Sequence, residues 1–236
     1  MFTHNISVSD APRQDRFDYS TPIITQQQFY QTNFLKRYDQ TEKHPAKTSV
    51  ISSLRSLTDS SKNFETIIQT IESIPDGHDI TRTYTSDLFI AHQKFYCYIN
   101  EQLCRDNIDV VSKLMPLIRR ATRQINYNAP SSNVVVYRGM TLNSSQKAFF
   151  TNGTVFRFPG FTSTSKAEHK AAIFGNTLFE IHIYGGCLQV RDVSTISFYP
   201  TEEEYLFSPY SLFQVTGVNG NRIVLKAIDN LSKIGM

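Results

Sequence analysis

The spacing of apolar residues along this chain changes character once, near residue 130. Upstream, apolar side chains recur every three or four positions, the period of an amphipathic helix. Thr25 followed by Gln28 has the form of a capping box, and Phe29, Phe34, Leu35 and Tyr38 supply a partial apolar face for a short helix behind it. Residues 39–58 are rich in Ser, Thr and Lys with Pro45 among them, and predict a link or a short helix. Asp59 precedes Phe64, Ile67, Ile68, Ile71 and Ile74, and Pro75-Asp76-Gly77 ends that helix. A longer helix is predicted over 80–103 from Leu88, Phe89, Phe95, Tyr96, Tyr98, Ile99 and Leu103. Asn107 or Asp109 opens another, with Val110, Val111, Leu114, Leu117, Ile118 and Ile125 on one face, and Pro116 is expected to kink or break it.

Downstream the period shortens to two, or vanishes into β-branched runs. Val134-Val135-Val136-Tyr137-Arg138-Gly139-Met140 reads as a buried strand with a cation at its tip. Asn143 caps a short helix reaching Phe149-Phe150. Val155-Phe156-Arg157-Phe158 begins a strand that leads to Phe161-Thr162-Ser163-Thr164-Ser165, and Lys166 to Phe174 forms a short helix closed by Gly175. Leu178 to Tyr184 alternates as a half-buried strand, Cys187 to Val190 follows a Gly-Gly turn, and a loop over 191–200 delivers three consecutive glutamates. Leu212–Thr216 and Arg222–Ala227 pair across Asn219-Gly220, a strong hairpin signal.

Composition narrows this little. The 236 residues suffice for one large domain or for a catalytic domain with a helical extension, and the net charge is a mild +3. Arg119, Arg120 and Arg123 form one basic group of a kind a solvated helix face explains, so a nucleic-acid module has weak support. Cys97, Cys104 and Cys187 have no CxxC spacing and read as small apolar residues. The histidines, His92, His169 and His182 among them, show no ligand spacing, so no metal is expected. No run is long and apolar enough to span a bilayer. The first residues lack the basic start and apolar core of a signal peptide, and residues 1–24 read as a flexible segment. The expected localisation is therefore the cytosol, or another cell reached by a route without such a peptide.

The candidate chemistry lies in Glu202-Glu203-Glu204, set immediately before the apolar Tyr205-Leu206-Phe207. In an extended chain Glu202 and Glu204 project to one side and Glu203 to the other. Such a pair is either a solvated strand end or acid–base chemistry in which neighbouring carboxylates raise a pKa. Likewise Arg138 is either a solvating charge at a strand end or an anion binder, and the Ser/Thr run either a helix cap or part of a site.

Taken together and in order, Tyr137-Arg138-Gly139, Phe161-Thr162-Ser163-Thr164-Ser165 and Glu202-Glu203-Glu204 running into Leu206-Phe207-Ser208-Pro209-Tyr210 resemble the arginine-specific mono-ADP-ribosyltransferases of the R-S-E type. That group includes cholera-toxin-like and actin-modifying toxins and vertebrate ecto-transferases. The resemblance covers about residues 130–228. It implies NAD as substrate, no metal, and an arginine of a target protein as acceptor; actin is a candidate target by analogy. It implies catalytic roles for Arg138, Ser163, Glu202 and Glu204. Gly139, Ser163, Thr164, Ser165 and Phe174 would contact NAD with Arg138 and Glu204, and Tyr199 would join Glu202 in recognising the target. Glu203 is assigned to solvent. The cysteines lack the disulfide pattern of the ecto-enzymes.

The expectation is an α+β protein with a helical part over 25–127 packed on a mixed, mainly antiparallel β-sandwich over 128–236. The two should form one compact unit with an NAD cleft between the sheets. The expected activity is transfer of ADP-ribose to arginine with residual NAD glycohydrolysis. The alternative is a catalytically silent protein-binding module of the same fold. Neither nucleic acid nor membrane is expected as a partner.

Overall fold

The computed structural model describes residues 23–57, 64–75, 80–90, 92–197 and 200–229. The expectations placed on residues 1–22, Asp59, Asp76-Gly77 and Tyr199 lie outside these residues.

The chain enters on β1 (Ile24–Thr25) and turns into α1 (Gln26–Phe29), where Thr25 and Gln28 exchange the reciprocal bonds of a capping box. The short helix expected here is divided in two. Thr32 accepts the Leu35 N–H and starts α2 (Asn33–Gln40). Its first N–H groups find a distant partner, since the Asp106 carboxylate accepts from Asn33 at 2.7 Å and Phe34 at 2.8 Å. The Ser/Thr/Lys-rich stretch contains α3 (Lys47–Arg55), which packs on α4 (Glu65–Ser73).

The helix expected over 80–103 is interrupted. It consists of α5 (Thr81–Tyr84), a hairpin of β2 (Phe89–Ile90) and β3 (Gln93–Lys94), and α6 (Phe95–Arg105). The hydroxyls of Thr85 and Ser86 bond back to the carbonyls of Arg82 and Thr83, an alternative to helix propagation that these residues favour. By contrast Pro116 does not end α7 (Ile108–Asn126), which Asn107 caps. Burial of Val111, Leu114, Met115, Leu117, Ile118, Ala121 and Ile125 along one face offsets the roughly 3 kcal/mol that an interior proline costs.

The second half supplies β4 (Val134–Met140), α8 (Ser144–Ala148), β5 (Val155–Phe158), β6 (Thr162–Ser165), α9 (Glu168–Ala172), β7 (Thr177–Ile183), β8 (Val190–Asp192), a 3-10 turn (Pro200–Glu202), β9 (Glu204–Phe207), β10 (Ser211–Asn219) and β11 (Arg222–Ile228). Asn219 pairs with Arg222, so the hairpin turn centres on Gly220-Asn221, one residue later than the sequence signal, with Gly220 at φ +59°. The strand order is β1-β5-β10-β11-β7-β4-β6-β9-β8. Among the described strands β7 and β11 run parallel and the other pairs antiparallel.

β4 and β6 meet at a single pair, Tyr137 with Ser165, and there the strand order divides into two layers. Rings from opposite parts of the order meet between them: Phe207 of β9 lies 5.0 Å from Phe213 of β10. The inner faces bury Val136, Phe179, Ile181, Phe207, Phe213 and Leu225 as one core. Phe161, Leu206 and Tyr210 face the other way, into the core of the helices. The architecture is thus the expected α+β one: helices on a mixed, mainly antiparallel sandwich.

Candidate functional site

Three motif residues form one hydrogen-bonded chain. Arg138 lies inside β4, two residues short of its end, rather than at the tip. Its Nη1 donates to the Ser163 carbonyl at 2.8 Å, and the Ser163 hydroxyl donates to Glu204 Oε1 at 2.7 Å. The sheet sets this geometry. β4 and β6 are joined through Tyr137 and Ser165, and Ser165 lies opposite Glu204, so Ser163 is two residues away on the same face.

The site is deeply set: Arg138 is 7% exposed and Glu204 5%. Burial pushes the Arg138 pKa down to about 10, and the Arg138 Nε–H has no hydrogen-bond acceptor among the described residues. Burial also raises the Glu204 pKa, and the nearby Glu202 charge adds to the rise. The Ser163 and Ser197 hydroxyls, which bond the ionised form, oppose it.

The glutamates do not form one extended run. Glu202 ends the 3-10 turn, Glu203 takes φ +49°, and the strand begins only at Glu204. Alternation along a strand therefore does not relate Glu202 to Glu204, although the Glu202 charge is near enough to act on Glu204. Glu203 itself is exposed and pairs with Lys170 at 3.3 Å, in keeping with its assignment to solvent.

The other predicted residues sit around this chain in different ways. Thr164 donates its hydroxyl to the Tyr205 carbonyl at 2.8 Å, a bond that fastens β6 to β9. Ser165 donates to the Glu202 carbonyl at 2.7 Å and accepts the Ala167 N–H at 3.1 Å, so it anchors both the glutamate turn and the approach to α9. Ser163 is the one of the three whose hydroxyl reaches Glu204. Gly139 is where α9 crosses β4: a Cβ there would lie 2.1 Å from the Ala171 carbonyl oxygen. Phe174, just beyond α9, is half-buried beside the same glycine.

Three contributors escaped the sequence reading. Asn100, buried on α6, accepts the Phe161 N–H at 2.9 Å and donates to the Phe161 carbonyl at 3.2 Å, fixing the chain as it enters β6. A polar residue within the apolar run Phe95–Leu103 was the available signal. Tyr84 packs its ring 4.5 Å from Phe161 and lies near both Glu204 and Arg138. Ser197 donates to Glu204 Oε2 at 3.2 Å from the loop between β8 and the 3-10 turn; no spacing rule singles it out. Beside that loop is a cavity of about 700 Å³ whose lining includes Ile74, Arg82, Ser86, Asp87, Thr195 and Ile196. Among the described residues no group of three or more His, Cys, Asp or Glu is placed to hold a metal, and no helix is long and apolar enough to cross a membrane.

A model of the NAD:arginine ADP-ribosyltransferase family matches residues 90–233. Exoenzyme S from Pseudomonas aeruginosa, solved in complex with human 14-3-3 protein beta and bound to carba-NAD, superposes with a TM-score of 0.53 at 18% identity, covering 77% of this chain and 88% of its own. HopU1, an ADP-ribosyltransferase of Pseudomonas syringae pv. tomato, gives 0.49 at 24% identity over 61% of this chain and 73% of its own. The eucaryotic mono-ADP-ribosyltransferase ART2.2 gives 0.48 at 19% over 83% and 82%. No curated protein matches the chain.

Proposed function

The chain belongs to the NAD:arginine ADP-ribosyltransferase family, and we propose that it moves ADP-ribose from NAD to an arginine side chain of a protein, releasing nicotinamide. The observation that carries this reading is the connected Arg138–Ser163–Glu204 chain. A planar guanidinium suits the pyrophosphate of NAD, and the Arg138 Nε–H is a buried donor without an acceptor among the described residues. The Glu204 carboxylate, held by Ser163, stabilises positive charge on the nicotinamide ribose as its bond to nicotinamide breaks. Nicotinamide leaves with the bonding electron pair.

A guanidinium nitrogen of the acceptor then forms the new bond to the ribose carbon. Arginine is protonated in water, so a carboxylate must orient it and take its proton. Glu202, near Glu204 at the end of the 3-10 turn, is the residue for this, and it is the reason for proposing arginine as acceptor. Tyr199, three residues before Glu202 in the sequence, and Phe174 with Gly139, where α9 crosses β4, complete the proposed contacts to target and NAD. With no acceptor bound, water takes the ribose and the enzyme acts as a slow NAD glycohydrolase.

Nicotinamide release from NAD tests the reading. Glu204→Ala should abolish release. Glu202→Gln should keep it while losing transfer to protein. Equal release by wild type and Glu204→Ala would remove Glu204 from the chemistry.

A further inference from the structure

Glu204 has two hydroxyl partners, and the sequence motif accounts for only one. Ser163 bonds Oε1 from β6; Ser197 bonds Oε2 from the loop after β8. Ser197 is 7% exposed and firmly placed. Its N–H donates to the Val193 carbonyl at 2.7 Å, and the Val193 N–H donates to the Glu204 carbonyl at 2.9 Å. The loop is therefore fastened to Glu204 twice, once through the backbone and once through the carboxylate. Its neighbours Thr195 and Ile196 line the cavity, so Ser197 stands in the segment between that cavity and Glu204.

We propose that Ser197 is a positioning residue for the transfer reaction: it fixes the second oxygen of Glu204, orients the carboxylate, and ties its state to the placement of residues 193–197. This rests on the transferase reading, in which ionised Glu204 stabilises the ribose cation.

Glu204 is buried, which disfavours its charge, and Glu202 is near enough to disfavour it further. Among the described residues the other titratable groups near it are Tyr84 from α5 and, beyond Ser163, Arg138 from β4. Against burial and Glu202, the two hydroxyl donors favour the carboxylate. Ser163 is committed to one oxygen. Removing Ser197 leaves Oε2 without that donor in a site where water is scarce, so protonation becomes easier and the carboxylate is free to rotate.

The test is the pH dependence of NAD glycohydrolysis in Ser197→Ala and Ser197→Thr, together with a carboxyl-carbon NMR titration of Glu204, its signal assigned by its loss in Glu204→Gln. Ser197→Ala should move the acid limb of kcat to higher pH, leaving turnover roughly tenfold below wild type at a fixed pH on that limb. KM for NAD should change little, and Ser197→Thr, which keeps a hydroxyl, should restore most of the rate. The NMR midpoint of Glu204 should rise in Ser197→Ala whether or not NAD is turned over. An acid limb and an NMR midpoint both unchanged in Ser197→Ala would overturn the proposal, as would a uniform loss of rate at all pH values with a lowered Tm. Absence of turnover by wild type would instead count against the transferase reading, and the NMR result would still decide the role of Ser197.

Discussion

Gly139→Ala tests how closely the site depends on the packing of α9 against β4. The new methyl carbon would sit 2.1 Å from the Ala171 carbonyl oxygen and 3.2 Å from Phe174 Cβ, whereas ordinary contact begins at 3.4 Å. The first neighbour is backbone, so no rotamer change relieves the overlap. Either α9 or β4 must retreat by more than 1 Å. Overpacking of this kind costs about 1–3 kcal/mol, or a fall in Tm of roughly 4–8 °C for about 2 kcal/mol in a domain of this size. The displacement would also reach the site, since Ser165 holds the N–H of Ala167 just before α9 and the carbonyl of Glu202. A shift of about 1 Å in a catalytic geometry can lower the rate by as much as a hundredfold. Denaturant unfolding and nicotinamide release, both measured well below Tm, provide the assay. Gly217→Ala is the control, because its Cβ meets nothing closer than 3.7 Å. If Gly139→Ala matched wild type in both stability and turnover, the packing argument would be refuted.

Three further outcomes follow from the same geometry. Burial raises the Glu204 pKa, so the folded state holds that proton more tightly than the unfolded chain, and the group's contribution to stability falls as pH rises from the unfolded carboxylate range through the raised value. Glu204→Gln should therefore gain Tm relative to wild type as pH rises through that window, with the two closest below it; a gap independent of pH would contradict this. Arg138→Lys removes the planar donor array and should lower kcat/KM for NAD by about tenfold or more, which steady-state kinetics would show. Asn100→Ala leaves the buried N–H and carbonyl of Phe161 without their partners and should cost about 2–4 kcal/mol in denaturant unfolding.

Much of this architecture can be read from local signals, because local physics fixes it. The Thr25–Gln28 box, the Asn107 cap and the Asn143 cap are each set by residues within four positions of one another, and all three form. Where distant packing decides, the reading fails. Pro116 leaves α7 unbroken because a buried apolar face outweighs it. The break after Tyr84 comes from Thr85 and Ser86, whose hydroxyls compete with the helix, although the apolar spacing across them looks continuous. The motif residues Arg138, Ser163 and Glu204 were visible as residue types in order. Which of their atoms bond depends on the register that sets Ser165 opposite Glu204. The left-handed conformation of Glu203 is hidden in the sequence, and it interrupts the strand alternation expected between Glu202 and Glu204. Ser197 and Tyr84 reach the site from elements far from β6 in sequence, and no motif carries them.

The most direct test of the central claim is transfer of labelled ADP-ribose from NAD to poly-arginine, with poly-lysine as the control acceptor and mass spectrometry of the product. Wild type should label poly-arginine on a guanidinium nitrogen and leave poly-lysine unlabelled. Glu204→Ala should label neither, and Glu202→Gln should release nicotinamide without labelling the polymer. Labelling that persists in Glu202→Gln, or that falls on lysine as readily as on arginine, would contradict the assignment of Glu202 and of the acceptor.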